Sequence, residues 1–498
     1  ALAAAREGIV LLQNRDQTLP LDRRSIRSIA VFGPNAHPAV TGGGGSSRVN
    51  PFRAISVLDG LIGVAGPGVD VHYIPFERED VRTIAAQSQF VSGEDGSPGL
   101  KSEYFDNVDL SGTPAHMRRD QRINFRWGSG SPFDGWKTDE FSVRWTGFVA
   151  PEETAEYVFF VRCDDGVRLF VNGKLLIDRW QDQAAADFNV TLKLEKGRLY
   201  PIRLEYYERT GESEIRFGWR KKPSRAYEAE SALAAKADAA VVCVGFDSSS
   251  ESEGADRTFE LPPGQKELIQ AIARSNKRTI VVINSGGAVD MADWLDDVGA
   301  VLEAWYPGQE GGQAVAEILF GDVNPSGKLP ASFERRWEDS AAFGNYPGSS
   351  GKVIYREGIF VGYRHFDRSE VKPLFPFGHG LTYTRFEYGG LQLEKQGAVV
   401  RVRFQVRNTG SREGAEVAQV YVQDVASSLP RPVKELKGFR RVNLKPGEEK
   451  EVSFDLDRSA FVFYDPAAKN WKVEPGEFKI LVGSSSSDIR LEVSLTTP

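Results

Sequence analysis

Short runs rich in β-branched and small apolar residues at 28–33, 237–245, 279–285 and 299–306 end in Gly, Asn, Ser or Pro and alternate with segments of helical period. Runs of this kind suit strands covered on both faces, and with helices between them they predict a parallel α/β sheet. One helix is predicted over 263–275, where Pro262 and Pro263 stand at the start and Leu268, Ile269 and Ile272 fall on one face. A second follows Gly311-Gly312, running through Ala314 to Phe320. The first twelve residues, rich in Ala and Leu, read as the middle of a helix, as if chain upstream were missing.

The texture changes twice. Residues 91–223 alternate apolar and polar, as in Glu156-Tyr157-Val158-Phe159-Phe160-Val161, with turns at Asp164-Asp165-Gly166 and Val171-Asn172-Gly173. One-sided strands of this kind are buried most simply in a β-sandwich. Residues 391–498 again read as strands, at 399–407, 416–423, 449–456 and 477–482, a spacing that suggests an immunoglobulin-like sandwich. The expected division is therefore 1–90 and 224–390 as two parts of an α/β/α sandwich, 91–223 as an inserted β-sandwich, and 391–498 as a terminal sandwich.

Composition narrows the chemistry. With 498 residues the chain exceeds one hydrophobic core, and 62 basic against 69 acidic residues offer no electrostatic footprint for nucleic acid or anionic lipid. A neutral ligand suits it better. The two cysteines, Cys163 and Cys243, are far apart in apolar stretches, and the five histidines lack metal-ligand spacing, so neither a disulfide framework, a metal nor a cofactor is expected. No apolar run reaches the ~20 residues of a membrane helix.

The candidate chemistry lies after the 237–245 run, in Glu251-Ser252-Glu253-Gly254-Ala255-Asp256-Arg257. This puts carboxylates on a loop leaving a buried strand, where an α/β sheet opens its crevice. Taken alone, so polar a stretch is equally a solvated turn. The glycine-rich 41–49 segment lacks a phosphate-loop pattern and is expected to let backbone approach a neighbouring domain or the rim of a site.

Glu253-Gly254-Ala255-Asp256-Arg257 with Leu261-Pro262 resembles the acid/base segment of glycoside hydrolase family 3. Further stretches are similar to that family: Gly8-Ile9-Val10-Leu11-Leu12-Gln13-Asn14, Gly33-Pro34-Asn35-Ala36, Trp305-Tyr306-Pro307-Gly308-Gln309-Glu310-Gly311-Gly312, the 321–330 segment, and Phe375-Pro376-Phe377-Gly378-His379-Gly380. The resemblance covers the family's α/β/α domain and its fibronectin type III-like domain, while 91–223 resembles the protective-antigen-type sandwich of some β-glucosidases. It implies retaining hydrolysis of β-glucosides or short oligosaccharides such as cellobiose. Glu253 would be the general acid/base, with Glu251 its competitor, and an aspartate nucleophile would come from a β/α barrel absent here, either severed from this chain or travelling as a separate one.

Other readings stay open at this point. The chain could be a carbohydrate-binding or adhesin-like protein, or a family member acting on β-xylosides or N-acetylglucosaminides. Homodimer formation and compartment are unassigned. Asp164-Asp165 resembles an adhesin calcium pair but reads first as a turn. Asp256 and Arg257 are expected to brace the loop as an ion pair, and Glu357 to pair with Arg356 and Arg364. Trp127, Phe133, Trp136 and Trp305-Tyr306 are expected in cores, with 129–135 as an alternative sugar-facing loop.

Overall fold

The computed structural model describes residues 1–76, 81–92, 96–222, 227–253, 256–346, 348, 352–369 and 371–497. Its organising element is a six-stranded sheet in the order Val10–Asn14, Ala300–Glu303, Thr279–Asn284, Ala239–Gly245, Ser28–Phe32, Asp70–Tyr73. All neighbours run parallel except Val10–Asn14, which is antiparallel to Ala300–Glu303. Ala239–Gly245 and Thr279–Asn284 are buried at every position, as central strands covered on both faces must be.

Alternate residues of these strands feed two cores. Val241, Cys243 and Val282 point to the face covered by helices Val57–Ala65 and Gly311–Phe320, whereas Val242, Val244, Val281 and Ile283 meet Leu268, Ile269 and Ile272 of helix Gln265–Ser275. The first two helices touch through backbone, since a Cβ added to Gly60 would lie 2.1 Å from the Gly312 carbonyl oxygen. Ser56 and Asp59 form a capping box at the start of Val57–Ala65.

The N-terminal segment departs from the helical expectation. Helix Leu2–Gly8 stops at Ile9, whose ψ of 131° is extended, and Val10–Asn14 becomes an edge strand. Leu11 enters one core while Val10 and Leu12 enter the other, so period 2 wins over helix propensity because both faces of the strand are needed.

Between Asp70–Tyr73 and Ala239–Gly245 the chain builds a six-stranded and a four-stranded antiparallel sheet that share a core containing Trp145, Phe159 and Tyr206. The Asn172-Gly173 turn has positive φ at both residues, as a tight hairpin requires. After Tyr383, a three-stranded and a four-stranded sheet enclose Val402, Phe404, Val420 and Ile480. The whole is a split three-layer α/β/α domain followed by an all-β, fibronectin type III-like one, tied to it by the Lys434–Asp367 pair at 2.6 Å and Lys328–Glu416 at 3.1 Å. Among the described residues no helix is long and apolar enough to cross a membrane.

Candidate functional site

Strand Ala239–Gly245 delivers the acidic loop. Gly245 has φ 117°, and a Cβ there would fall 2.1 Å from the Asn284 carbonyl oxygen, so only glycine lets the strand end pass this close to its neighbour. Asp247 then starts a turn, its carbonyl accepting the amides of Ser250 at 3.0 Å and Glu251 at 2.8 Å.

Glu251 and Glu253 have different surroundings. Glu251 turns inward: Arg257 Nε lies 3.1 Å from Oε1, while Oε2 accepts the Gly286 amide at 2.9 Å and the Tyr306 hydroxyl at 2.6 Å. Burial, and then that hydrogen bond, push the Tyr306 phenol well up, so it stays a donor. Glu251 anchors the loop to the ends of Thr279–Asn284 and Ala300–Glu303. Beneath it, Glu303 closes strand Ala300–Glu303 fully buried, accepting the Trp305 amide at 2.8 Å and the Ser285 hydroxyl at 3.0 Å. Burial pushes its carboxyl up to about 8 against those two hydrogen bonds.

Glu253 is exposed and lies against the glycine-rich loop. Gly44 forms a parallel bridge with Ser252, and its amide donates to the Glu251 carbonyl at 2.9 Å. Gly45, at φ 75°, presents only hydrogen where a Cβ would lie 2.6 Å from Glu253 Cβ. Oε2 of Glu253 accepts the Ser46 hydroxyl and also its amide at 3.0 Å, and these contacts, the hydroxyl first, hold the carboxyl below its ordinary range. Gly254, expected to permit a tight loop, and Ala255 lie outside the described residues.

Two neighbouring readings change. Arg257 pairs with Glu251 rather than Asp256, whose carboxylate accepts from the Tyr346 hydroxyl at 3.0 Å and faces Arg179 at 3.8 Å. Arg364 pairs at 3.2 Å with Glu435 of the terminal sandwich, while Glu357 lies 3.5 Å from the Asn345 amide nitrogen. Phe133 and Trp136 pack around Tyr104 and His116, and Trp127 around Phe125, against the insertion's core as expected, while Arg179 of the insertion faces Asp256 of the acidic loop. Hydrophobic periodicity carried no signal for Ser46, Gly286 or Arg179, because each meets the loop through tertiary contact alone. Glu303 was visible only as a polar residue within the 299–306 run.

A separate acidic group lies in the insertion. Asp164 and Asp165 are joined by Glu208, with one ligand atom from each within 4.8 Å of the others. Asp165 sits in the left-handed region at φ 60° and accepts the amides of Gln183 at 3.1 Å and Arg209 at 2.8 Å, 18 and 44 positions away, so its carboxylate ties distant segments of the insertion to the Asp164-Asp165-Gly166 stretch. Burial pushes Glu208 up to about 9, so at neutral pH a proton relieves the crowding of these carboxyls. The sequence had not pointed to this third carboxyl.

A solvent-facing glutamate on a strand-end loop, held by an inward-facing one, thus sits on a split α/β/α domain that carries a terminal β-sandwich. The family described as the glycosyl hydrolase family 3 C-terminal domain matches residues 9–383, and the fibronectin type III-like domain matches 416–486. The chain belongs to glycoside hydrolase family 3. A β-glucosidase of Rhizobium radiobacter is 35% identical over 517 residues, covering 99% of this chain and 62% of that protein. The crystal structure of the Kluyveromyces marxianus β-glucosidase superposes with TM-score 0.70 at 32% identity, covering 100% of this chain and 62% of the other. A Streptomyces venezuelae β-glucosidase solved with D-glucose gives TM-score 0.73 at 33% identity, covering 100% and 59%. The chain therefore spans about three fifths of the length of such relatives.

Proposed function

We propose that this chain is the acid/base-bearing part of a retaining β-glucosidase that releases terminal non-reducing β-D-glucosyl residues. Glu253 protonates the leaving oxygen and then activates water. An aspartate on a β/α barrel, in the same polypeptide or in a separate chain, attacks the anomeric carbon. Residues 91–223 act as a protective-antigen-type insertion beside the site. The observation that carries this reading is the division of labour on one loop: Glu251 is consumed by Arg257, Gly286 and Tyr306, which leaves Glu253 as the carboxyl facing solvent.

Retention needs two carboxyls ~5–5.5 Å apart, with one protonated as the cycle begins. Ser46 favours the carboxylate form of Glu253, which suits the second half-reaction, where it acts as a base. For the first half-reaction, an ionised nucleophile nearby and the exclusion of water by substrate both raise its proton affinity. The names of the relatives above favour β-glucosides over β-xylosides or N-acetylglucosaminides.

The test is Glu253→Ala in the barrel-containing protein. Turnover of a glucoside with a poor leaving group should fall by roughly 10²–10⁴-fold, the usual worth of a positioned acid/base. Azide should restore turnover on an activated glucoside by attacking the glycosyl-enzyme. Unchanged turnover without azide rescue would remove Glu253 from the role.

A further inference from the structure

In the six-stranded sheet, the chain leaves Ser28–Phe32 to add Asp70–Tyr73 on one side, but leaves Ala239–Gly245 to add Thr279–Asn284 and then Ala300–Glu303 on the other. The two adjacent strands therefore form the topological switch point. The glycine-rich and acidic loops that follow them meet again at the Gly44–Ser252 bridge, and the space at the strand ends beside that contact is where α/β sheets of this kind take ligands. Here that space is roofed. The outer face of the insertion's four-stranded sheet lies over it and borders a half-open cavity of about 150 Å³.

The walls are distinctive. Phe159 and Val161 point into the insertion's core, so Phe160 points outward and forms part of the roof, with Asp187 and Asn189 from the neighbouring strand. The floor is Asn35 after one switch-point strand and Phe246 after the other, with Arg257 at the side. The Arg257 guanidinium lies 4.5 Å from the Phe246 ring centroid. Burial raises the Asp187 carboxyl while Arg162, at 3.1 Å, opposes that rise. Glu253 is not part of this lining.

We infer that this roofed switch-point cavity binds one neutral hexose, at a site separate from the Glu253 face of the loop. A pyranose presents an apolar C–H face to aromatic rings and a ring of hydroxyls to carboxylate and amide groups, which is the mixture that Phe160, Phe246, Asp187 and Asn189 supply. The volume far exceeds the ~10–15 Å³ that one water needs. Asp187, Asp247 and Asp256 outnumber Arg257 around the cavity, which disfavours phosphorylated sugars. Because Arg257 also holds Glu251, a bound sugar reaches the acidic loop through that pair.

The test uses this 498-residue chain. Titration calorimetry with D-glucose should give a dissociation constant on the order of millimolar, typical of a small polar ligand held by few contacts. D-glucose 6-phosphate should give no heat. Asn189→Leu, which fills the cavity, and the near-isosteric Asp187→Asn should each weaken glucose by about tenfold or more, a loss of about 1.4 kcal/mol. Thermal melts of both variants check that they fold. Glu253→Gln should leave the affinity unchanged. Absence of glucose binding, or binding lost in Glu253→Gln and kept in both cavity variants, would overturn the inference; the second outcome would place the sugar at the acid/base face and leave the proposed function standing.

Discussion

Ser46 and Glu253, 207 positions apart in sequence, share one carboxylate oxygen: Oε2 of Glu253 accepts both the amide and the hydroxyl of Ser46. The glycine-rich loop and the acidic loop are thereby a single structural unit, and the state of the exposed carboxyl depends on a residue that nothing in the acidic motif announces.

Ser46→Ala should raise the titration midpoint of Glu253. The folded value is depressed by the Ser46 hydroxyl and then its amide, so the contact stabilises the protein above the unfolded carboxyl's range and is lost as pH falls through the folded one. Carbon-detected NMR of the side-chain carboxyl reads the midpoint directly. An unmoved midpoint would mean that the hydroxyl is not bound in solution.

Tyr306→Phe removes one of the donors that hold Glu251. A hydrogen bond to a charged acceptor is worth about 1.5–3 kcal/mol when buried, and partial exposure here brings the expected loss nearer ~1 kcal/mol. Hydrogen exchange should quicken at the Gly286 and Gly44 amides, whose partners belong to the acidic loop, while the central strands keep their protection.

Glu208→Gln should flatten the decline of stability on the alkaline side. Burial raises this carboxyl from 4.5 to about 9, so between those values the folded state binds more protons than the unfolded one, and stability falls as pH rises. The slope reaches about 1.4 kcal/mol per pH unit for one group. Urea unfolding of wild type and variant at acidic, neutral and mildly alkaline pH compares the two, with the Gln protein gaining as pH rises.

Gly60→Ala should destabilise the domain by about 1–3 kcal/mol, because its Cβ would lie 2.1 Å from the Gly312 carbonyl oxygen in the contact between two helices. Gly63→Ala, one turn along the same helix with open space around it, should instead gain up to ~1 kcal/mol from helix propensity. Chemical denaturation of the pair separates close packing from propensity.

Local pattern made most of the scaffold legible. The run at 279–285 became strand Thr279–Asn284, and the helix expected over 263–275 formed as Gln265–Ser275, its start delayed by Gly264 at φ 85°. Edge strands were harder to see. Asp70–Tyr73 is only half-buried, and Val10–Asn14 sits beside an Ala-rich helix, so neither carries a strong period of its own.

By itself the sequence determined the family, the split α/β/α architecture and the acidic loop, because buried strands, helix faces and ordered motifs are written in consecutive residues. Tertiary structure alone decided that Glu251 points inward to Arg257 and Tyr306 while Glu253 faces Ser46, and that the insertion roofs the switch-point crevice. Two residues apart on an irregular loop, the glutamates have no fixed facing. Only groups brought from the ends of other strands give one a set of donors and leave the other exposed.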